Sequence, residues 1–167
     1  MRYLVILICT LAITTVSAQN SAFLDFGQSA QKVSDNLGHY ERPLGELKSS
    51  PNLLTYQFSK TRWLDYHFVG DELYRIEDVQ VFDDKDKAKE MIEACKLYLS
   101  LGQKESVELD APTGTNHYAK VFQDRVIELI VFNDRKNSLT QITMRVTSRN
   151  FGPRMEAEAL AMKVAEQ

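Results

Sequence analysis

The sequence predicts an α+β fold in which helices pack on an antiparallel β-sheet, and three observations predict it. Apolar residues alternate with polar ones at a period of two in a series of runs between Leu53 and Thr147, as half-buried strands do. Short polar turns separate several of these runs, among them Gly70-Asp71 and Asn133-Asp134-Arg135-Lys136-Asn137, and such turns favour antiparallel neighbours. One segment, Asp83 to Gly102, instead repeats its apolar residues at helical spacing.

The N-terminus reads as a secretory signal over residues 1–18. Met1-Arg2 is a minimal positive start, Tyr3 to Ile13 is almost unbroken apolar sequence, and Val16 and Ala18 occupy the small-residue positions of a cleavage site before Gln19. The run is short for a bilayer span, which needs about 20 apolar residues. Cys9 follows Ile6-Leu7-Ile8 rather than a small residue, so it reads as signal core and not as a lipid anchor. Cleavage would leave 149 residues, move the net charge from −3 to −4 and retain Cys95 as the sole cysteine. No intramolecular disulfide is then possible, and stability must come from core packing. A mildly acidic chain with intermixed signs gives no electrostatic reason to expect nucleic acid or anionic membrane as a partner.

The mature chain opens with a short helix. Ser29 suits its N-cap, Val33 and Leu37 lie one turn apart on one face, and Gly38 suits its end. Three strands are expected next. In the first, Leu54, Tyr56 and Phe58 alternate with Thr55, Gln57 and Ser59; in the second, Leu64, Tyr66 and Phe68 alternate with Trp63, Asp65 and His67. The third, Glu72 to Phe82, slips in apolar phase from Tyr74 and Ile76 to Val79 and Val81, and a bulge near Glu77 and Asp78 would bring both pairs to one core face.

Asp83-Asp84-Lys85-Asp86 opens the second helix with acidic residues, and Ala88, Met91, Ile92, Cys95, Tyr98 and Leu99 form its apolar stripe. Cys95, in mid-stripe, reads as a buried structural thiol. Four further strands follow: Lys104 to Asp110, His117 to Phe122, Arg125 to Phe132 and Leu139 to Thr147. Arg125 to Phe132 is apolar on both faces, so it should be central or covered twice. Leu139 to Thr147 should bury Ile142, Met144 and Val146 and turn Gln141, Thr143, Arg145 and Thr147 outward. The Ala- and Glu-rich tail reads as a terminal helix. The organisation is therefore 1–18 signal, 19–82 helix plus three strands, 83–150 helix plus four strands, and 151–167 helical tail. The spacing Leu97, Leu101, Gly102 echoes Val33, Leu37, Gly38, which is compatible with two related helix-plus-sheet halves.

The pattern Gly27-x-Ser29-x3-Val33-x3-Leu37-Gly38, with Pro43 and then aromatic-rich strands, resembles the opening of a superfamily of small exported bacterial proteins. That superfamily includes the accessory lipoprotein of the outer-membrane β-barrel assembly machinery and the β-lactamase inhibitory proteins. The similarity covers about residues 26–82. It implies a helical segment on one face of an antiparallel sheet and action by binding other proteins. A lipid-anchoring cysteine is missing from the mature start, and the second half is similar to the tandem-repeat inhibitors.

The candidate binding surface is the face of the second strand carrying Trp63, Asp65 and His67, flanked by Thr55 and Gln57 if the first two strands pair. A large, rigid, amphipathic Trp suits an interface anchor, and it equally suits a second small core if that face is covered. Gln141, Thr143 and Arg145 would extend the surface only if strand order brings them near. For catalysis, Asp65 and His67 share a strand face, yet no nucleophile elbow, phosphate loop or dinucleotide fingerprint occurs. His39, His67 and His117 lack the spacing of a helical metal site, and Asp83 to Asp86 lacks the glycine and terminal glutamate of a calcium loop, so no metal or cofactor is expected. The expectation is an exported, non-catalytic interaction module whose partner is another envelope or extracellular protein. The alternatives are a small hydrolase using His67 and Asp65, or a carrier whose cavity is lined by Phe58, Tyr66, Tyr74 and Phe132.

Overall fold

The structure, a computed structural model, describes residues 26–38, 46–100 and 107–150, together with 157, 160, 161, 163 and 164 of the tail. The signal, His39, Pro43 and the strand start at Lys104 lie outside the described residues. Helix α1 spans Ala30–Gly38 and α2 spans Lys85–Ser100. The strands are β1 Glu46–Ser50, β2 Leu53–Ser59, β3 Arg62–Val69, β4 Glu72–Phe82, β5 Val107–Leu109, β6 Thr115–Val121, β7 Arg125–Asp134 and β8 Leu139–Ser148.

All eight form one antiparallel sheet in the order β1-β2-β3-β4-β8-β7-β6-β5. Two four-stranded meanders thus meet edge to edge at β4 and β8, each preceded by a helix. The first meander has four strands where three were expected. Glu-Leu-Lys-Ser-Ser has no apolar alternation to announce β1, which is built by backbone pairing of Glu46–Ser50 with Leu53–Gln57 around a turn where Asn52 takes φ 62°.

Local chemistry explains the helix starts. Ser29 Oγ accepts from the Lys32 amide at 3.3 Å, and Asp84 Oδ1 accepts from the Asp86 and Lys87 amides at 2.9 and 3.1 Å. Those two bonds, helped by Lys87, hold the exposed Asp84 carboxyl below its ordinary range. Helix α1 is also tied to the sheet: the Gly27 amide donates to Leu73 O, the Leu73 amide to Gln28 O, and the Ala30 amide to Asp71 Oδ1. Gly70 and Asp71, at φ 55° and 65°, form the β3–β4 hairpin turn of the twist-matching type that needs two positive φ values, so this turn both reverses the chain and caps α1.

Two apolar clusters make the core. The first joins Val33 and Leu37 to Leu54, Tyr56, Tyr66, Phe68 and Leu73; the second joins Cys95 and Leu99 to Ile127, Leu129, Val131 and Ile142. Ile76, packed against the first, pairs with Val146, packed against the second, so both clusters lie on one face of the sheet. Lys120, itself buried, donates from Nζ to Leu99 O at 2.6 Å and closes the last turn of α2. No described helix is long and apolar enough to cross a membrane.

Several expectations are corrected. The bulge in β4 falls at Tyr74, opposite the His67–Phe68 step, and not near Glu77 and Asp78. From Arg75 to Phe82 the register with β8 is unbroken, so Val79 and Val81 lie on the face opposite Ile76. Val79 is nevertheless buried, and so are Thr143 and Thr147, which were expected to face out. The centre of the sheet is covered on both sides, as the doubly apolar β7 required: Val126 and Leu129, on opposite faces, are both fully buried. In the echo between the helices, Leu97 is 55% exposed and does not match the buried Val33, Cys95 and Leu99 turning inward instead, while Leu101 and Gly102 lie outside the described residues. Within the tail, Ala157 is buried in a helical stretch.

Candidate functional site

The face opposite the two clusters carries a row of polar residues in strict register. Thr55 pairs with Asp65, Asp65 with Glu77, Glu77 with Arg145 and Arg145 with Glu128, crossing β2, β3, β4, β8 and β7 in turn. Strand alternation puts Trp63 and His67 on the same face two residues either side of Asp65, and Gln57 directly opposite Trp63. The five residues singled out from sequence therefore do converge. The order of the sheet also brings Arg145 to them, and adds three residues that sequence reasoning did not select: Glu77, Glu128 and His117.

Hydrogen bonds and ion pairs tie Thr55 and Trp63 to Asp65 and, separately, Glu77 through Arg145 to Glu128 and His117. Asp65 Oδ1 accepts from the Thr55 hydroxyl at 2.5 Å and its Oδ2 from the Trp63 indole at 3.0 Å. Arg145 Nε donates to Glu77 Oε1 at 2.7 Å, and Arg145 Nη1 lies 3.6 Å from Glu128 Oε1. His117 Nε2 sits 2.7 Å from the same Glu128 oxygen. Gln57 is held from the edge by Lys48 Nζ at 2.7 Å. Side-chain exposure is 13% for Glu77 and 5% for Glu128, so both carboxylates are well removed from water and Arg145 is the charge they share.

His67 stands apart in this network. Its Nε2 is buried with no hydrogen-bond partner among the described residues, 3.8 Å from Glu77 Oε1. Burial pushes the imidazole pKa below its ordinary value; Glu77 opposes that shift, Arg75 adds to it, Asp65 opposes and Arg145 adds. The ring is thus neutral at neutral pH. Asp65, His67 and Glu77 each offer a ligand atom, all within 4.8 Å of one another.

The arrangement bears on the alternatives. The Asp65 oxygens accept hydrogen bonds from Thr55 and Trp63 rather than from His67. The four aromatics proposed to line a cavity do not gather: Tyr66 is in the first cluster, Phe58 packs edge-on to Tyr56, Tyr74 sits at the β4 bulge with Arg75 over its ring, and Phe132 is 45% exposed on the opposite face from Tyr66.

One signal for the missed residues was present in the sequence. A lone Glu128 inside Val-Ile-Glu-Leu-Ile-Val-Phe is a charge in a strand buried on both faces, and such a charge needs a paired partner. Its identity, Arg145 with His117, depends on which strands flank β7. Comparison of the chain with protein-family models, with curated proteins and with solved structures finds no match.

Proposed function

We propose that this chain is an exported, non-catalytic protein-interaction module that binds another envelope or extracellular protein through the sheet face bearing Thr55, Gln57, Trp63, Asp65 and His67. In this reading the two helices share the other face, each serving one of two related halves. The observation that carries it is the state of Trp63. This single tryptophan of the chain is half-buried and its indole N–H is held by Asp65, which makes it a pre-positioned aromatic anchor. Ile130 and the exposed Phe132 share its face, with the charged row beside them, so apolar side chains lie next to polar groups that are largely held by their neighbours. Preordering of this kind lowers the entropy lost on binding.

The resemblance of residues 26–82 to a superfamily that acts by binding proteins supports the same reading, as does the exposure that sheet edges leave at β1. The test is affinity capture from the envelope and culture medium of the source with wild type, Trp63→Ala and Leu97→Ala, the last an exposed position on α2. A partner retained by Leu97→Ala and lost by a folded Trp63→Ala is the expected result. Equal capture by all three variants, or none by wild type, contradicts the proposal.

A further inference from the structure

Asp65, His67 and Glu77 come from adjacent strands at adjacent register positions, and their ligand atoms lie within 4.8 Å of one another. The geometry points to a binding site for one divalent transition-metal ion of the zinc type, held by His67 Nε2 and the Asp65 and Glu77 carboxylates. An imidazole with two carboxylates is a borderline nitrogen and oxygen donor set, which suits zinc or cobalt better than calcium or magnesium.

Two features support it. The His67 Nε2 atom is buried and unpartnered, and it faces Glu77. A buried polar atom left without a partner destabilises the fold, and a bound ion would remove that cost. The carboxylate of Asp65 is already oriented by Thr55 and Trp63, as metal-binding carboxylates are by their outer hydrogen bonds.

Arg145 is the obstacle, because its Nε occupies Glu77 Oε1 at 2.7 Å. Glu128 offers the resolution. It lies on the other flank of Arg145, with Oε1 3.6 Å from Nη1, and a modest rotation transfers the guanidinium from Glu77 to Glu128. The three ligand atoms then need to close to about 3.4 Å, the spacing around a tetrahedral zinc with bonds of about 2.0–2.1 Å. Occupation of the site is thereby coupled to the ion-pair row, and removal of Glu128 should weaken it.

Trp63 supplies the readout, since its indole donates to the Asp65 oxygen and no other tryptophan contributes to the emission. Zinc chloride is titrated into the purified protein while tryptophan fluorescence is followed, and uptake is measured by equilibrium dialysis. Cobalt, with its visible absorption, reports coordination geometry. Expected are one equivalent taken up, saturable behaviour, and at least tenfold weaker uptake in His67→Ala and Asp65→Asn, with a smaller loss in Glu128→Gln. His67→Gln replaces His67→Ala if circular dichroism shows the latter unfolded. Uptake dependent on His67 supports the site even where the fluorescence is silent. No uptake by folded wild type, or uptake undiminished in folded His67 variants, overturns it. The outcome is independent of whether a protein partner is captured.

Discussion

Replacement of Arg145 by Met keeps most of the aliphatic stem of the side chain and deletes the charge that two acidic residues share. Glu77 and Glu128 are 13% and 5% exposed at the side chain, so neither is rescued by bulk water. Removing one partner of a buried ion pair costs about 3–5 kcal/mol. Two facts lower that figure here. Arg145 is 27% exposed, and each carboxylate keeps another neighbour, Arg75 at 3.9 Å from Glu77 and His117 at 2.7 Å from Glu128. The expected loss is about 2–3 kcal/mol, or a fall in melting temperature of about 6–10 °C for a chain of this size. Urea unfolding followed by circular dichroism, with wild type and variant at one pH, measures it. The triple replacement Glu77→Gln, Glu128→Gln, Arg145→Met removes all three charges together and should recover most of the loss, because the penalty belongs to the orphaned carboxylates. A single variant within about 0.5 kcal/mol of wild type, or a triple variant no better than the single, would refute the view that the row is an electrostatically closed unit.

The remaining predictions concern the core, a cap and a titration. Leu129, fully buried in the second cluster, should cost about 3 kcal/mol as Leu129→Ala in the same urea assay. Asp71→Ala should cost about 2 kcal/mol, through loss of the α1 cap and the strain of φ 65° on Ala, whereas Asp71→Asn keeps an accepting oxygen and tolerates that φ and should lose less than half as much in a thermal melt. The folded pKa of His67 lies below the unfolded value of 6.5, so the unfolded chain takes up a proton first as pH falls and stability declines below that pH. His67→Gln should flatten the fall in urea midpoint between about pH 7 and pH 5, and an unchanged slope would show that another group dominates there.

Coupling between the two meanders follows from the same row. Because β4 and β8 pair along eight residues, the sheet is continuous where two halves could have remained separate, and the ion pair between Glu77 and Arg145 spans that seam. A partner or an ion that engages Asp65 and Glu77 in the first half is linked through Arg145 to Glu128 and His117 in the second. Substitution on one side should therefore be felt on the other, as non-additivity between Asp65 and Glu128 variants.

Much was legible in the residues alone because it depends on short stretches of chain. The alternation of Leu54, Tyr56, Leu64 and Tyr66 against Thr55, Gln57, Trp63 and Asp65 is a property of strand geometry, and the Gly70-Asp71 turn and the Ser29 and Asp84 caps are satisfied within a few residues. The inward place of Cys95 followed from its position in a helical stripe. What the tertiary structure alone decided is the company these residues keep. Arg145 meets Glu77 from 68 positions away, and only the choice of β8 as the neighbour of β4 permits it. The burial of Val79, Thr143 and Thr147 belongs to the same category, since alternation assigns residues to faces but does not say whether a face is covered. Local periodicity reflects the backbone repeat, while strand order and coverage arise from packing between segments distant in the chain, and within the charged row it is the Glu77–Arg145 pair across β4 and β8 that depends on this second kind of contact.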